Sequence, residues 1–263
     1  MARSALLNIM VQAATKAGRS LTRDFGEIEN LQVSVKGPGD FVSAADRKAE
    51  EIIHESLSKS RPDWGFLMEE SGEIKGTDPL HRWIVDPLDG TTNFLHSLPF
   101  FAVSIGLERE GKIVAGVVYN PITEELFTAE KGGGAFMNDR RMRVAARRKL
   151  ADSVLCTAIP HIGSQKLGRY LEEAKASSAN AAAVRGLGSA ALSLSYVAAG
   201  RLDAYWEHSL QPWDMAAGLI LVREAGGFLS DISGGERMME TGGVIAGNET
   251  IRDAVRKTII ERR

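Results

Sequence analysis

Trp83-Ile84-Val85-Asp86-Pro87-Leu88-Asp89-Gly90-Thr91-Thr92 is the stretch on which the reading of this chain turns. The apolar run from Arg82 to Val85 reads as a strand, and it stops at an acid. A carboxylate there is displayed at the edge of a sheet, where α/β proteins build their sites. Pro87 stiffens the backbone between Asp86 and Asp89, so both acids can aim at one point. Gly90-Thr91-Thr92 then reads as a helix start, where glycine allows close backbone approach and consecutive amides attract an anion. Two neighbouring acids repel unless a cation lies between them. Oxygen donors alone select a hard ion such as Mg²⁺ over zinc. His54, His81, His96, His161 and His208 are scattered, and none stands at a ligand spacing from another or from Cys156. The consequence is a hydrolytic phosphate site with two or more Mg²⁺ ions.

Acids after a strand are commonly caps or solvated turn residues. Three features weigh against that here: Pro87, the Gly90-Thr91-Thr92 run, and Glu69, which closes the neighbouring apolar run Trp64 to Met68. Asp214, in Gln211-Pro212-Trp213-Asp214, stands in a helix's first turn, where the macrodipole alone accounts for it. Asp46 reads the same way at the start of an earlier helix, and Trp213 reads as core.

Outward from the central stretch, helices and strands interleave. Leu6, Leu7, Met10, Val11, Ala14, Ala17, Leu21 and Phe25 recur at three- and four-residue steps, predicting one amphipathic helix. Gly37-Pro38-Gly39 breaks the chain into a loop. A second helix follows, with Ala45, Ala49, Ile52, Ile53 and Leu57 inward and Arg61-Pro62 at its end. Val103 to Glu108, Lys112 to Tyr119 and Glu125 to Ala129 predict an antiparallel meander. A basic stretch from Arg140 to Lys149 follows, and then the alternation starts afresh. Strands are predicted at Val154 to Ala158, Ala182 to Val184 and Asp203 to Glu207. Helices are predicted at Gln165 to Ala176, Ser189 to Ala199, Pro212 to Ala225 and from Glu249. The class is mixed α and β, in two subdomains spanning 1–145 and 146–263.

Composition sets the outer bounds. The chain has 263 residues, 44% hydrophobic and 25% charged, which excludes collagen-like, low-complexity and disordered classes. A net charge of −2 provides no overall cationic field for nucleic acid or anionic lipid. Its single cysteine, Cys156, makes no internal disulfide and fits a reducing compartment. No apolar run approaches a membrane span, and Met1 to Gln12 lacks a signal-peptide pattern. A soluble cytoplasmic protein is expected.

Taken together, these residues resemble the inositol monophosphatase family. The resemblance is carried by Trp83 to Phe94 and by Trp213-Asp214-Met215-Ala216-Ala217-Gly218. Asp40-Phe41-Val42-Ser43-Ala44-Ala45-Asp46 and Met68-Glu69-Glu70-Ser71 match too, in the family's order over nearly the whole chain. It implies an alternating α/β/α/β/α sandwich that forms a homodimer and hydrolyses a small-molecule phosphate ester with Mg²⁺, sensitive to Li⁺. Two or three ions are implied, with Mn²⁺ or Ca²⁺ as substitutes. The N-terminal subdomain would bind metal and phosphate, the C-terminal one substrate. Glu69 and Asp86 with the Leu88 carbonyl resemble the ligands of a first metal, and Asp86, Asp89 and Asp214 those of a second. Glu69 would reach a third ion through waters. Asp46 and Thr91 resemble the pair that orients and deprotonates the attacking water, and the Gly90 and Thr91 amides would take the phosphate. Arg185, Gly188, Ser189, Ala190 and Glu207 align with substrate-contact positions. Ser189 stands where threonine is frequent, and Ile159 to Ser164 matches no substrate-contact pattern, so His161 reads as a loop residue.

Two rivals accompany this reading. Sugar bisphosphatases, fructose-1,6-bisphosphatase included, nucleotide phosphatases and histidinol phosphatases share the metal cluster. Thr92-Asn93-Phe94 resembles the inositol branch more than the nucleotide branch, and Glu207 suits a polyol while repelling a second phosphate. Some bacterial relatives act with the transcription or ribosomal RNA machinery, and Arg140 to Lys149 is the surface such a role would use. That run has no interleaved aromatics to stack bases.

Overall fold

Apolar steps of three and four residues produce α1 (Ala5–Phe25), capped by Ser4, whose hydroxyl accepts the Leu7 amide at 3.1 Å. The computed structural model describes residues 3–27, 33–37, 40–160 and 166–260. Pro38, Gly39 and His161 to Ser164, all singled out in the sequence, lie outside those residues. Strands β1 (Val33–Gly37) and β2 (Asp40–Ser43), to which the sequence assigns no element, pair antiparallel, and β2 runs directly into α2 (Ala44–Ser60).

The first half continues through β3 (Trp64–Met68), β4 (Gly72–Ile74), β5 (Asp78–Asp89), α3 (Thr91–Leu95), β6 (Ala102–Arg109) and β7 (Lys112–Asn120). It ends with β8 (Glu125–Glu130), β9 (Gly134–Met137) and β10 (Arg140–Arg141). These strands form one sheet in the order β10-β9-β8-β7-β6-β5-β3-β4, antiparallel except for β3 against β5. The predicted meander is β6 to β8, within a residue at each end. The second half runs β11 (Val154–Thr157), α4 (Leu167–Ser178), β12 (Ala183–Arg185), α5 (Ala190–Ala198), β13 (Ala204–Glu207) and α6 (Pro212–Glu224). It closes with β14 (Phe228–Ser230), α7 (Met238–Thr241), β15 (Val244–Gly247) and α8 (Glu249–Ile260). Its sheet has the order β12-β11-β13-β15-β14, with β12, β11 and β13 parallel.

The period-two alternation of the strands sorts their residues into layers. Trp83 and Val85 face α1 and α2, whereas Ile84 faces α5 and α6. On β13, Tyr205 faces the same central helices, and Ala204 and Trp206 face α8. Because α5 and α6 pack on both sheets, they are apolar nearly all round. The stack is α1/α2, large sheet, α5/α6, small sheet, α4/α8, the five alternating layers expected from the sequence.

One local difference decides the site. The sequence places Asp86 and Asp89 in a turn after the strand, yet β5 runs through both. Asp86 pairs with Ser104 and Asp89 with Ala102, with an irregularity between them, so β5 carries one extra residue there. Pro87 has no amide to give the ladder, and the Leu88 amide turns to Asp86 Oδ1 at 2.9 Å. The bulge re-aims the two acids without ending the strand.

Candidate active site

Asp86, Asp89 and Asp214 present carboxylate oxygens that all lie within 4.8 Å of one another. The β5 bulge supplies the first two. The third comes from the first turn of α6, where Asp214 also accepts the Gln211 amide at 2.7 Å in a reciprocal cap. Asp214 is therefore both the cap that its position predicts and a member of the cluster. Glu69 follows β3, its amide donating to the Val85 carbonyl at 3.2 Å, and its side chain hydrogen-bonds Asp86.

Burial, then the negative charges of Glu69, Asp89 and Asp214, push the Asp86 carboxyl well above its ordinary range. Burial and Asp89 do the same to Asp214. Asp89 is pushed up by burial to about 6, although hydrogen bonds from Ser189, Ala191 and Ala190 oppose the shift. Among the described residues, no lysine or arginine pairs with these three acids. Several carboxylates that cannot all be charged unaided, in an oxygen-only donor set, fit hard divalent cations.

Thr91 opens α3 beside the cluster. Its hydroxyl lies 3.1 Å from both Asp46 Oδ1 and the Leu88 carbonyl, so one proton serves two acceptors. Asp46 is fully buried in the first turn of α2. The residue before Thr91, Gly90, sits at φ 97°, and a Cβ there would lie 3.0 Å from the Phe100 carbonyl and 3.2 Å from that of Gly188. Only glycine lets the turn press so closely on the second half.

The second half completes the site. Ser189 caps α5 and donates its hydroxyl to Asp89, whose carboxylate also accepts the Ala191 amide at 2.7 Å and the Ala190 amide at 3.3 Å. Asn93 of α3 donates to the carbonyls of Phe100 and Leu187, each at 2.8 Å. A cleft of about 370 Å³ opens from Asp89 and Asp214 past Gly188, Ser189 and Ala190 to Glu207. Burial pushes the Glu207 carboxyl up to about 7, and the Tyr205 hydroxyl donates to it. Arg185 is apart from this group: it is exposed on the edge strand β12, bonds only its neighbour's carbonyl among the described contacts, and does not line the cleft.

Two buried acids had no place in the sequence reading. Glu50, 3% exposed, accepts the Glu70 amide at 2.9 Å and the Ser71 hydroxyl, fixing the turn that presents Glu69. Its signal was present in the spacing, because Asp46, Ala49, Glu50, Ile53 and Leu57 form one buried stripe on α2. Glu173 of α4 accepts from Arg169, Trp206 and His208 at the far end of the cleft. No motif surrounds it.

Five alternating layers, with a carboxylate cluster fed by strand ends and a central helix, define the layered α/β phosphatase class. The model of the inositol monophosphatase family matches residues 2–262. An inositol-1-monophosphatase of Mesorhizobium japonicum is 64% identical over 259 residues, covering 98% of this chain and 97% of its own. Nus factor SuhB of Escherichia coli K12 is 44% identical over 250 residues, covering 95% and 94%. The crystal structure of extragenic suppressor protein suhB from Bartonella henselae superposes with a TM-score of 0.96 at 61% identity, covering 98% of this chain and 99% of that one. The chain belongs to the inositol monophosphatase family.

Proposed function

We propose that this protein hydrolyses a phosphate monoester of myo-inositol, releasing inositol and inorganic phosphate. The observation that carries the reading is the convergence of Asp86 and Asp89 from one half with Asp214 from the other. Asp86, Asp89 and Asp214, with Glu69 and the Leu88 carbonyl, would hold two or three Mg²⁺ ions. Bound there, such ions neutralise the acids, favour a hydroxide nucleophile and stabilise the leaving oxygen. Thr91 and Asp46 supply what the acids cannot. The Thr91 hydroxyl is held by Asp46 and the Leu88 carbonyl, so its oxygen can accept a proton from water while its own proton passes to Asp46. The amides of Gly90 and Thr91 orient the phosphoryl oxygens. Gly188, Ser189, Ala190 and Glu207 face the ester's alcohol side, where a carboxylate accepts hydroxyl hydrogen bonds and repels a second phosphate. In this reading residues 1–145 hold metal and phosphate and 146–263 the alcohol. Lithium sensitivity, a homodimer and a cytoplasmic setting, for which the single buried Cys156 is suited, belong to the same reading.

Phosphate release from inositol monophosphates, glycerol phosphates, nucleotides and fructose bisphosphate, with and without Mg²⁺, tests it. Fastest Mg²⁺-dependent release from an inositol monophosphate is expected; fastest release from a bisphosphate or nucleotide would overturn the substrate assignment.

The SuhB names among the relatives support a second reading, contact with the transcription machinery through Arg140, Arg141 and Arg143, which are exposed. RNA retention that weakens with salt and disappears when these three become alanine is expected. Retention unchanged by the substitutions would remove this surface from consideration.

A further inference from the structure

Glu207 is held from two sides. Tyr205, 1% exposed, lies on the same strand face and donates its hydroxyl to the Glu207 carboxylate. On the opposite face α4 presents Glu173, 5% exposed, whose carboxylate takes Trp206 Nε1 at 3.1 Å and His208 Nε2 at 2.8 Å. Trp206 and His208 are the two chain neighbours of Glu207. Arg169, one turn earlier on α4, gives the same carboxylate its Nε at 2.8 Å. A buried carboxylate is costly unless its lone pairs meet donors, and three donors meet this one. The strand ladder offers little beyond this point. It ends at the Glu207–Val244 pair, and Ser209 turns away at φ 73°. Glu173 also lines the cleft, but its oxygens are already engaged by these donors.

We propose that Glu173 is a positioning residue for substrate specificity: by clamping Trp206 and His208 it fixes the segment from which Glu207 meets the substrate's hydroxyls. The proposal rests on the reading of Glu207 as a polyol contact. It separates two parts of the site, because the acid cluster stands on β5 and α6, whereas α4 packs on α8 and β12.

The test compares myo-inositol 1-phosphate with 4-nitrophenyl phosphate, which has no polyol hydroxyls. Glu173→Gln keeps the side chain's shape but leaves one accepting oxygen for three donors. KM for inositol phosphate should rise about tenfold, the scale of one misplaced hydrogen bond to a charged group. Its kcat, and both constants for 4-nitrophenyl phosphate, should hold. Trp206→Phe and His208→Ala each remove one donor and should move the inositol KM in the same direction by less. Trp206→Phe carries the test if Glu173→Gln does not fold. Losses of equal size on both substrates, or no change on either, would overturn the clamp. Glu207→Gln distinguishes the two levels. If it leaves the inositol KM unchanged, the polyol reading of Glu207 fails and the clamp with it. If it raises that KM while Glu173→Gln does not, the clamp alone fails.

Discussion

Ser189 donates its hydroxyl to the carboxylate of Asp89, so the residue that caps α5 also holds an acid of β5 one hundred positions away. The same hydroxyl accepts the Leu192 amide at 3.2 Å. Ser189→Ala therefore removes a helix cap and one of Asp89's donors together. A stability loss of about 1 kcal/mol is expected from the cap. Mg²⁺ affinity should fall about tenfold, because Asp89 loses part of the support that aims it. Denaturant unfolding and the Mg²⁺ dependence of phosphate release check the two parts separately. Asp89→Asn, by contrast, should nearly abolish hydrolysis and leave the fold intact.

The acid cluster makes the cation-free protein sensitive to pH in an unusual sense. An unfolded carboxylate loses its proton near about pH 4. In the fold, burial keeps Asp89 protonated up to about 6 and Glu207 up to about 7. Between these limits the folded state binds more protons, so stability falls as pH rises through the window. In chelator, Tm at pH 7.5 should lie below Tm at pH 5, and Mg²⁺ should restore it with proton release. Asp214→Asn preserves the cap on α6 while deleting an acid that, without cation, must either repel its neighbours or hold its proton above the ordinary range. It should raise Tm in chelator at pH 7.5 by about 2–6 °C and eliminate Mg²⁺ stabilisation. A melting curve for this variant that matches the parent would argue against the charge account.

How much of this was legible beforehand depends on what each residue answers to. The strands of the meander were readable because alternation and turn residues are local. Asp86 and Asp89 read as candidate site acids from the sequence, yet the bulge that aims them does not show there. It arises from pairing with Ser104 and Ala102, partners that the local pattern does not name. Asp214 shows the converse: its position alone fits a helix cap, and only the resemblance joined it to a cluster on another element. Glu50 could have been found from its place on the stripe of α2. Glu173 could not, since its donors Trp206 and His208 reach it across the layer between α4 and the small sheet. Asn93 reads as part of a motif, while its task, tying α3 to the Leu187 carbonyl, depends on a contact 94 positions along the chain.

That tie leads to a third expectation. Gly188 has φ 75°, and a Cβ there would lie 2.9 Å from Asn93 Nδ2. Gly188→Ala places a side chain in a strained conformation and displaces the amide that satisfies two carbonyls. A stability cost of about 1–3 kcal/mol is expected. Activity should fall further than in Asn93→Ala, because the shift reaches both the Gly90–Thr91 turn and the wall of the cleft. Guanidinium unfolding alongside steady-state rates separates the two effects. A Gly188→Ala protein with the parent's rates would show that this approach tolerates a methyl group.

The Thr91–Asp46 contact makes the most direct claim about chemistry. Thr91→Val keeps a branched side chain at the start of α3 but leaves Asp46 Oδ1 and the Leu88 carbonyl without their shared donor. If the hydroxyl moves a proton for the attacking water, kcat should drop by about 10²-fold or more, within the span of general acid–base effects. KM should change little, because the cleft wall is not touched, and Mg²⁺ affinity should fall far less than kcat, because Asp86, Asp89 and Asp214 keep their contacts. Asp46→Asn should produce a loss of similar size, and the double variant should be scarcely slower than either alone, as expected for residues that act as a unit. Losses that simply multiply in the double variant would mean that the two side chains contribute independently, and the proton path through Thr91 to Asp46 would have to be abandoned.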